Sequence, residues 1–326
     1  MERALRLIIF AIFVFLILKA TTFGWNFWGD AVPSFKRIDS RLAQNLKDHV
    51  HRLAQGIGER SLFKYESLKE AEKYITGEFI SFGYNVEFQE YKVEEKLVKN
   101  IIAKKLGSQD PEETIIIGAH YDTCFNPGAD DNASGLAGLL ELARYFSGKK
   151  TKQTIQFVAF VNEEPPFFKT EDMGSRVYAE AAKAQNNKIR AVIILESIGY
   201  YSSVFNSQRY PPLLGFFYPN RGNFIAVVGN LHSRNLARDI TTGFRKSSWL
   251  SINTAVLPNF ISGVDFSDHW SFWKEGYPAV MLTDTAFLRN PHYHKQSDTW
   301  EKLDYSYMAE LVKGCREVLI QLDNRQ

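Results

Sequence analysis

Cysteine is scarce in this sequence. The 326 residues include only two, Cys124 and Cys315, which are far apart and belong to no C-x-x-C pair. Thiolate zinc fingers and disulfide-stapled frameworks are therefore excluded. One disulfide and two free thiols are both compatible with the sequence, and Cys124 is interpreted as a small, partly buried residue.

Charge of one sign is not in excess either. The 39 lysines and arginines nearly balance the 37 aspartates and glutamates, which leaves a formal net charge of +2. The basic residues are spread along the chain, whereas a nucleic-acid-binding protein usually concentrates them in a stripe, so no nucleic-acid partner is expected. Charged residues make up 23% of the chain and apolar residues 45%, as in a globular protein with a substantial core.

Long apolar runs are rare, and the one that stands out is Leu7–Leu18, which follows Arg3 and Arg6. It is shorter than the roughly 20 residues that a membrane-spanning helix needs. Basic residues before a short apolar run are typical of a signal peptide, and an uncleaved anchor through residues 5–20 is the alternative. Residues 1–20 are therefore predicted to be a signal peptide or membrane anchor. The rest of the chain is expected to be exported, and to be periplasmic, extracellular or anchored in the inner membrane.

Residues 21–36 are predicted to be a linker and residues 37–326 a single domain. In that domain, apolar stretches with the length and period of strands alternate with amphipathic stretches of helical period. Such alternation builds a largely parallel sheet that is covered on both faces. We therefore predict a three-layer α/β/α fold around a central, mostly parallel mixed sheet of about eight strands. The predicted strands are 85–91, 98–106, 114–118, 154–161, 191–195, 224–229 and 279–282, and the predicted helices are 39–55, 68–82, 135–146, 174–185, 233–244 and 304–322.

Histidines and carboxylates follow the predicted strands at the points where the strands end. In sheets of this kind, ligands bind beyond the carboxyl ends of the strands, so these side chains are expected to meet at one edge. Nitrogen and oxygen ligands without thiolates suit zinc, and also cobalt or manganese. The candidate metal ligands are His120, Asp131, Glu164, Glu196 and His294.

The residues around these ligands fit the same chemistry. His120 and Asp122 are two apart, so in an extended chain they face the same way, and Asp122 can accept the other ring N–H of His120. Glu163 and Glu164 are adjacent, so their side chains point in different directions. One can bind metal while the other acts as a general base. Asp131 is placed to bridge two metals, which in such sites lie roughly 3.5–4 Å apart and acidify a bridging water. Each motif alone has a plainer interpretation, such as a helix cap or a solvated surface, but the joint pattern is far more specific.

The ordered set of motifs resembles metallopeptidase family 28, which comprises bacterial aminopeptidases with two co-catalytic zincs and their glutaminyl-cyclase relatives. The resemblance runs from about residue 40 to the end of the chain. It is carried by His120-x-Asp122, the segment 128–135 (GADDNASG), Glu163-Glu164, Glu196, and Tyr293-His294 with Asp298-Thr299.

Carried over by position, the resemblance implies a role for each site residue. One zinc would take His120 and Glu196, the other would take Glu164 and His294, and Asp131 would be shared between them. The catalytic residues implied are Glu163 as the general base, Tyr293 as a group that stabilises the oxyanion, and Asp122 as a support for the ligands.

The sequence departs from the family's pattern in two places. Glu196 stands where an aspartate is common, which changes the reach of the ligand but not its chemistry. The segment 163–168 (EEPPFF) replaces a glycine-rich stretch, so substrate preference cannot be carried over.

The aromatic and irregular segment Tyr200–Asn223 is expected to be a functional loop. A set of nearby aromatic residues has two interpretations: it lines an apolar substrate pocket, or it belongs to the ordinary core. The set is Phe167, Phe168, Tyr200, Tyr201, Phe216, Phe217 and Tyr218.

These observations predict a zinc-dependent aminopeptidase that hydrolyses N-terminal residues of peptides through a metal-bridging water activated by Glu163. Its partners are expected to be peptides with a free N-terminus. The first alternative is a glutaminyl cyclase, because Asp268 lies in a stretch that resembles one found in those enzymes. Such enzymes tend to use one zinc and to lack the acid at Asp130. The second alternative is a non-catalytic, peptidase-like binding module, although no ligand is missing. The sequence leaves the preferred residue, the native metal and the oligomeric state open.

Overall fold

A mixed sheet of eight strands runs through the part of the chain that the computed structural model describes, residues 39–212 and 214–325. Its strands are β1 (Val86–Val93), β2 (Lys96–Lys105), β3 (Asp110–His120), β4 (Gln153–Phe160), β5 (Lys188–Glu196), β6 (Phe224–Gly229), β7 (Ser251–Val256) and β8 (Ala279–Thr283). The α-helices in the same ranges are α1 (Ser40–Val50), α2 (Tyr65–Ser81), α3 (Gly135–Ser147), α4 (Gly174–Ala184), α5 (Arg234–Ser247), α6 (His269–Lys274) and α7 (Tyr305–Asp323).

The strands are ordered β1-β2-β4-β3-β5-β8-β6-β7 across the sheet. Parallel pairing joins β4, β3, β5 and β8 in the middle of the sheet, and also joins β6 to β7. Antiparallel pairing joins β1 to β2, β2 to β4, and β6 to β8. The carboxyl ends of the four central strands therefore meet at one edge.

Helices cover both faces of the sheet. Along β3, Ile115 and Ile117 join one apolar cluster, whereas Ile116 between them joins another on the opposite face. Helices α1, α2, α3, α5 and α7 pack together on the first face, and α4 packs against α6 on the second. Because the central strands are buried on both sides, they form continuous apolar runs. The predicted α/β fold with a mixed sheet of about eight strands is confirmed.

The first helix forms as its sequence predicts. Asp39 is its N-cap, and the Asp39 side chain accepts a hydrogen bond from the backbone N–H of Leu42 at 3.0 Å. Two elements were not predicted, β7 and α6. Strand β7 (SINTAV) has few strongly apolar residues, and α6 has only six residues, too few to show a helical period.

The segment Tyr200–Asn223 is irregular, as predicted. Its described residues contain one short 3-10 turn, at Leu214–Phe216, and a single bridge between Ser202 and Gly222. The buried guanidinium of Arg289 ties the segment to the sheet, because it donates to the side chain of Gln208 at 2.7 Å and to the carbonyl of Phe224 at 2.8 Å. The segment is thereby held beside β6.

The predicted signal peptide or anchor (1–20) and linker (21–36) lie outside the described residues. Within the described ranges, no helix combines the length and the apolar character that crossing a membrane requires. Both cysteines are free: Cys124 is half-buried and Cys315 is buried.

Candidate metal centre

The central strands deliver most of the predicted site residues to one edge of the sheet. His120 is the last residue of β3, Glu163 and Glu164 follow β4 closely, and Glu196 is the last residue of β5. Asp131 comes from the turn before α3, and His294 comes from the loop after β8. The structure brings all five predicted ligands together, and their binding of metal remains a prediction.

The ligands form two groups that share Asp131. In the first group, Nε2 of His120 lies 3.3 Å from Oδ1 of Asp131 and 3.2 Å from Oε2 of Glu196. In the second group, Nε2 of His294 lies 3.0 Å from Oδ2 of Asp131 and 3.2 Å from Oε2 of Glu164. The two oxygens of Asp131 therefore face different groups, as the predicted bridging role requires.

Several polar atoms of the two groups are buried without a hydrogen bond. In the described part of the chain, Nε2 of His120, Oδ2 of Asp131, Oε1 of Glu164 and Nε2 of His294 make no well-directed hydrogen bond, although some of these atoms lie only 3.0–3.3 Å from a neighbouring ligand atom. Leaving such atoms unsatisfied in the interior is costly, so native proteins rarely do it. Imidazole nitrogens and carboxylate oxygens are ligands that zinc takes. The donor set and its empty bonding capacity therefore fit divalent zinc.

The charges of the cluster lead to the same conclusion. Burial, together with the nearby carboxylate of Asp131, raises the pKa of Glu164 to about 8. Burial also acts to raise the pKa of Asp131, but the imidazoles of His120 and His294 hold it below its ordinary value. Without cations, the cluster cannot keep all its carboxylates ionised in the low-dielectric interior. Divalent cations would balance this excess of negative charge.

Glu163 borders the cleft at the ligand groups, but its carboxylate lies farther from His120 than that of Glu196 does. Its Oε2 lies 3.8 Å from Nε2 of His120, farther than the corresponding oxygen of Glu196. Burial raises the pKa of Glu163 well above its usual range, and the carboxylates of Glu164 and Glu196 add to that shift. Glu163 thus lies beside the ligand groups at a greater distance than the ligands themselves, where a general base for the attacking water would be placed.

Asp122 supports the site through more contacts than the sequence predicts. Its Oδ1 lies 3.5 Å from Nδ1 of His120, on the side of the ring that faces away from the two groups. Its two oxygens also accept hydrogen bonds from the backbone N–H groups of Glu163 at 3.1 Å and Glu164 at 3.0 Å. Asp122 therefore fixes the backbone of the Glu-Glu pair as well as facing the histidine.

Tyr293 lies at the edge of the cleft, where it borders Glu163 and Glu164. Its ring stacks on that of His294, with centroids 3.9 Å apart. Burial raises the pKa of its hydroxyl well above the ordinary value, and the nearby carboxylate of Asp131 adds to the shift. The hydroxyl therefore stays protonated and able to donate a hydrogen bond. Its predicted role at the oxyanion remains a prediction.

Other residues also orient the ligands, and the two serines among them were not singled out from the sequence. Ser267 donates to Oε2 of Glu196 at 2.8 Å, and Ser197 donates to Oε1 at 3.1 Å. Asp298 accepts hydrogen bonds from the backbone N–H groups of Asp130 and Asp131. A serine has no local sequence signal for such a role, whereas Asp298 was visible as part of the motif set.

Arg60 supports the site from behind and also had no sequence signal. Its side chain is completely buried, and burial lowers its pKa to about 10. The guanidinium donates to five backbone carbonyls, those of Leu53, Gly58, Tyr121, Pro127 and Gly128. The carbonyls of Tyr121 and Gly128 belong to the segments that carry His120 and Asp131. Arg60 therefore joins the end of β3 to the turn before α3.

Replacing Arg60 with methionine is expected to lower the free energy of unfolding by about 3 kcal/mol or more, because several buried carbonyls would lose their donor. Urea unfolding in the presence of a chelator measures this without a contribution from metal. Arg52→Met is the matched control, since Arg52 and its partner Glu70 are both exposed and the pair is worth at most about 1 kcal/mol. Equal losses in the two variants would contradict the role given to Arg60.

Comparisons with known proteins agree with this geometry. The sequence profile of Peptidase family M28 matches residues 100–319, which include every predicted ligand and catalytic residue. The chain belongs to Peptidase family M28. The predicted family relationship is thus confirmed. As a member, the chain is a peptidase, a hydrolase that acts on peptides, and the centre described above fits zinc.

Relatives of this M28 chain include an uncharacterized protein and a probable aminopeptidase. The uncharacterized protein YfbL of Escherichia coli (strain K12) is 41% identical over 318 residues, which cover 94% of this chain and 96% of YfbL. A probable leucine aminopeptidase of Trichophyton verrucosum is 27% identical over 301 residues, which cover 85% of this chain and 73% of that protein.

Solved structures share the fold at low sequence identity. A zinc aminopeptidase from Bacillus subtilis, BSAP, has a TM-score of 0.68 at 13% identity and covers 86% of this chain and 95% of its own. A glutaminyl cyclase from Fimbriiglobus ruber has a TM-score of 0.63 at 20% identity and covers 90% of this chain and 98% of its own. Both chemistries that the sequence left open therefore occur on this fold, so the side chains must decide between them.

Proposed function

We propose that this M28 peptidase is an aminopeptidase that uses two zinc ions. The observation that carries the proposal is the position of Asp131, whose two carboxylate oxygens face two separate ligand groups. His120 and Glu196 have no role as ligands if only the group around Glu164 and His294 binds metal. Their close approach to Asp131 therefore favours a two-metal enzyme over a single-zinc glutaminyl cyclase.

The chain's own residues have defined tasks in the proposed reaction. Zinc is to be held by the two groups that share Asp131, and when bound it supplies Lewis-acid activation of water and of the scissile carbonyl. Glu163 takes a proton from the attacking water as the water oxygen bonds to the carbonyl carbon. The hydroxyl of Tyr293 donates a hydrogen bond to the oxyanion that develops. Glu163 then passes its proton to the leaving nitrogen as the C–N bond breaks.

An apolar cavity adjoins the ligand groups and supports a preference for apolar substrates. Glu196 and Tyr293 lie where the cavity meets the centre. Its walls are residues of the sheet and of three nearby loops, including Tyr210, Leu214, Tyr218, Phe224, Ala226, Val228, Leu257, Val264, Phe266, Met281 and Phe287. We propose that this cavity takes the side chain of the substrate's first residue.

The aromatic residues that were considered for this pocket are mostly elsewhere. Of that set, Tyr218 lines the apolar cavity and Phe168 lines the cleft beside the ligands. Phe167 belongs to the main core, and Phe216 is 76% exposed. For Phe167 the core interpretation was the right one.

Filling the cavity is expected to change substrate preference. Ala226→Leu places extra atoms in the cavity and should raise KM at least about tenfold for leucyl- and phenylalanyl-anilides, since burying such side chains contributes about 1.5–3 kcal/mol. Cleavage of alanyl-anilide should change little. The control is Ala184→Leu, at an exposed position of α4. A uniform loss on all three substrates, or none on the large ones, would show that the cavity does not select the first residue.

A panel of peptides with mass-spectrometric detection tests the reaction itself. Loss of one N-terminal residue from several peptides, with two zinc ions per chain in the same sample, is the expected result. Loss of ammonia from a peptide that begins with glutamine would identify a cyclase instead. Absence of both reactions in zinc-loaded protein would favour a binding module.

We also propose that the protein is exported, and this rests on Arg3, Arg6 and the run Leu7–Leu18 alone. N-terminal sequencing of the protein from fractionated cells tests this: recovery in the cytoplasmic fraction with an intact N-terminus would contradict it.

A further inference from the structure

Cys124 lies beside one of the two ligand groups, and the proposed function gives it no task. It is four residues past His120, is half-buried, and carries a free thiol. Its sulfur, a carboxylate oxygen of Glu164 and a ring nitrogen of His294 all lie within 4.8 Å of one another. A single ion placed among these three atoms would be in reach of each of them.

Glu164 provides a second, independent sign that a ligand belongs at this point. Its side chain is only 5% exposed, yet its Oε1 makes no hydrogen bond within the described ranges. Its other oxygen, Oε2, faces His294 at 3.2 Å. A buried carboxylate oxygen without a partner costs free energy unless a cation or a donor satisfies it. Here Glu164 lies in the same small space as the sulfur of Cys124.

We infer that the thiolate of Cys124 is an additional ligand of the ion held by Glu164 and His294. The inference rests on the proposed function, because it assumes that this group binds zinc. The sulfur–metal bond would form with loss of the thiol proton to solvent, and no oxidation is involved. Thiolate is among the ligands that zinc prefers, alongside imidazole and carboxylate.

The two metal positions would then differ in chemistry. The position of His120 and Glu196 offers only nitrogen and oxygen, whereas the position of Glu164 and His294 adds a soft sulfur ligand. Soft thiolates favour zinc over hard cations such as magnesium or manganese. We therefore expect the position beside Cys124 to retain zinc when the other one exchanges it. Alkylation of the thiol should weaken that position selectively.

Cobalt(II) distinguishes a bound thiolate from a nearby thiol. Metal-free protein loaded with cobalt chloride should show a near-ultraviolet thiolate-to-cobalt charge-transfer band in addition to the visible d–d bands. Cys124→Ser should lose the charge-transfer band and keep the d–d bands. Cys315→Ser is the control, because Cys315 is 4% exposed and lies outside the centre, so its band should equal that of the wild type.

Two further measurements use zinc itself. In competition with a chelator, Cys124→Ser should bind the more tightly held zinc at least about tenfold more weakly, the lower end of what even supporting residues of metal sites contribute. In the wild-type protein, alkylation of Cys124 by iodoacetamide should be at least about tenfold slower with zinc than after chelation. The second measurement requires no variant, so a folding defect in Cys124→Ser cannot obscure it.

The outcomes separate this inference from the proposed function. If cobalt binds at two per chain, peptidase activity is present, and the spectra of wild type and Cys124→Ser coincide, then only the inference about Cys124 is overturned. The same holds if zinc does not slow the alkylation. If the wild-type protein binds no cobalt or zinc, both the inference and the two-metal function fail.

Discussion

Glu163→Gln is expected to lower kcat by about 10²- to 10⁴-fold and to leave the zinc content unchanged, because a general base contributes about that much to catalysis. Glutamine keeps the size of the side chain and its buried position but cannot accept the proton from water. The backbone N–H of residue 163 would still donate to Asp122, so the geometry of the neighbouring Glu164 should be preserved.

This variant also decides which carboxylate completes the group at His120. Glu163 and Glu164 together with His120 form one set of candidate ligands, and Asp131 and Glu196 with His120 form another. The shorter distance from Nε2 of His120 to Glu196, 3.2 Å against 3.8 Å to Glu163, favours Glu196 as the ligand. Retained zinc in Glu163→Gln supports this assignment, whereas loss of one zinc would make Glu163 the ligand.

Metal analysis and anilide cleavage on the same sample measure both effects. The matched control is Glu171→Gln, at an exposed position in the loop between β4 and α4, which should behave as the wild type. Near-normal turnover with full zinc content in Glu163→Gln would remove Glu163 from the mechanism.

The sequence was a good guide to the centre because of how parallel strands end. His120, Glu163 and Glu196 follow apolar runs that are easy to recognise, and their neighbouring strands β4, β3 and β5 place them at one edge. No side-chain distance had to be known for that inference. The pairing of ligands came from the family resemblance, and the two faces of Asp131 agree with it.

The supporting residues were beyond prediction for a physical reason. Arg60 is an ordinary charged residue in the sequence, and only its burial against five carbonyls gives it importance. Most walls of the cavity were missed, and those in Tyr200–Asn223 could not be told apart from exposed residues because that segment has no regular period. For instance, Tyr218 faces the cavity whereas Phe216 faces solvent.

The second large effect is expected from Asp131→Asn. The amide has one oxygen in place of two equivalent ones and carries no charge, so it cannot face both His120 and His294 as the carboxylate does. We expect the loss of at least one zinc per chain and a loss of turnover comparable to that of Glu163→Gln. Unlike Glu163→Gln, the variant should lose activity and metal together.

Stability provides a readout that does not depend on turnover. Free zinc at about 100 times its dissociation constant should stabilise the wild-type protein by about 2.7 kcal/mol per site, and most of that stabilisation should be absent in Asp131→Asn. Thermal unfolding with and without zinc measures the difference. If Asp131→Asn keeps two zinc ions and the full zinc-dependent stabilisation, the bridging role is wrong.

Asp130→Asn is the matched control for this experiment, because the same change is made one residue away. The carboxylate of Asp130 turns from the centre and accepts hydrogen bonds from the backbone of Gly199 at 2.8 Å and the amide of Asn290 at 2.7 Å. Burial raises the pKa of Asp130, and burial together with the charge of Asp130 raises that of Asp284. Asp130→Asn should therefore retain zinc and its stabilising effect, which would assign the loss in Asp131→Asn to the bridging carboxylate itself.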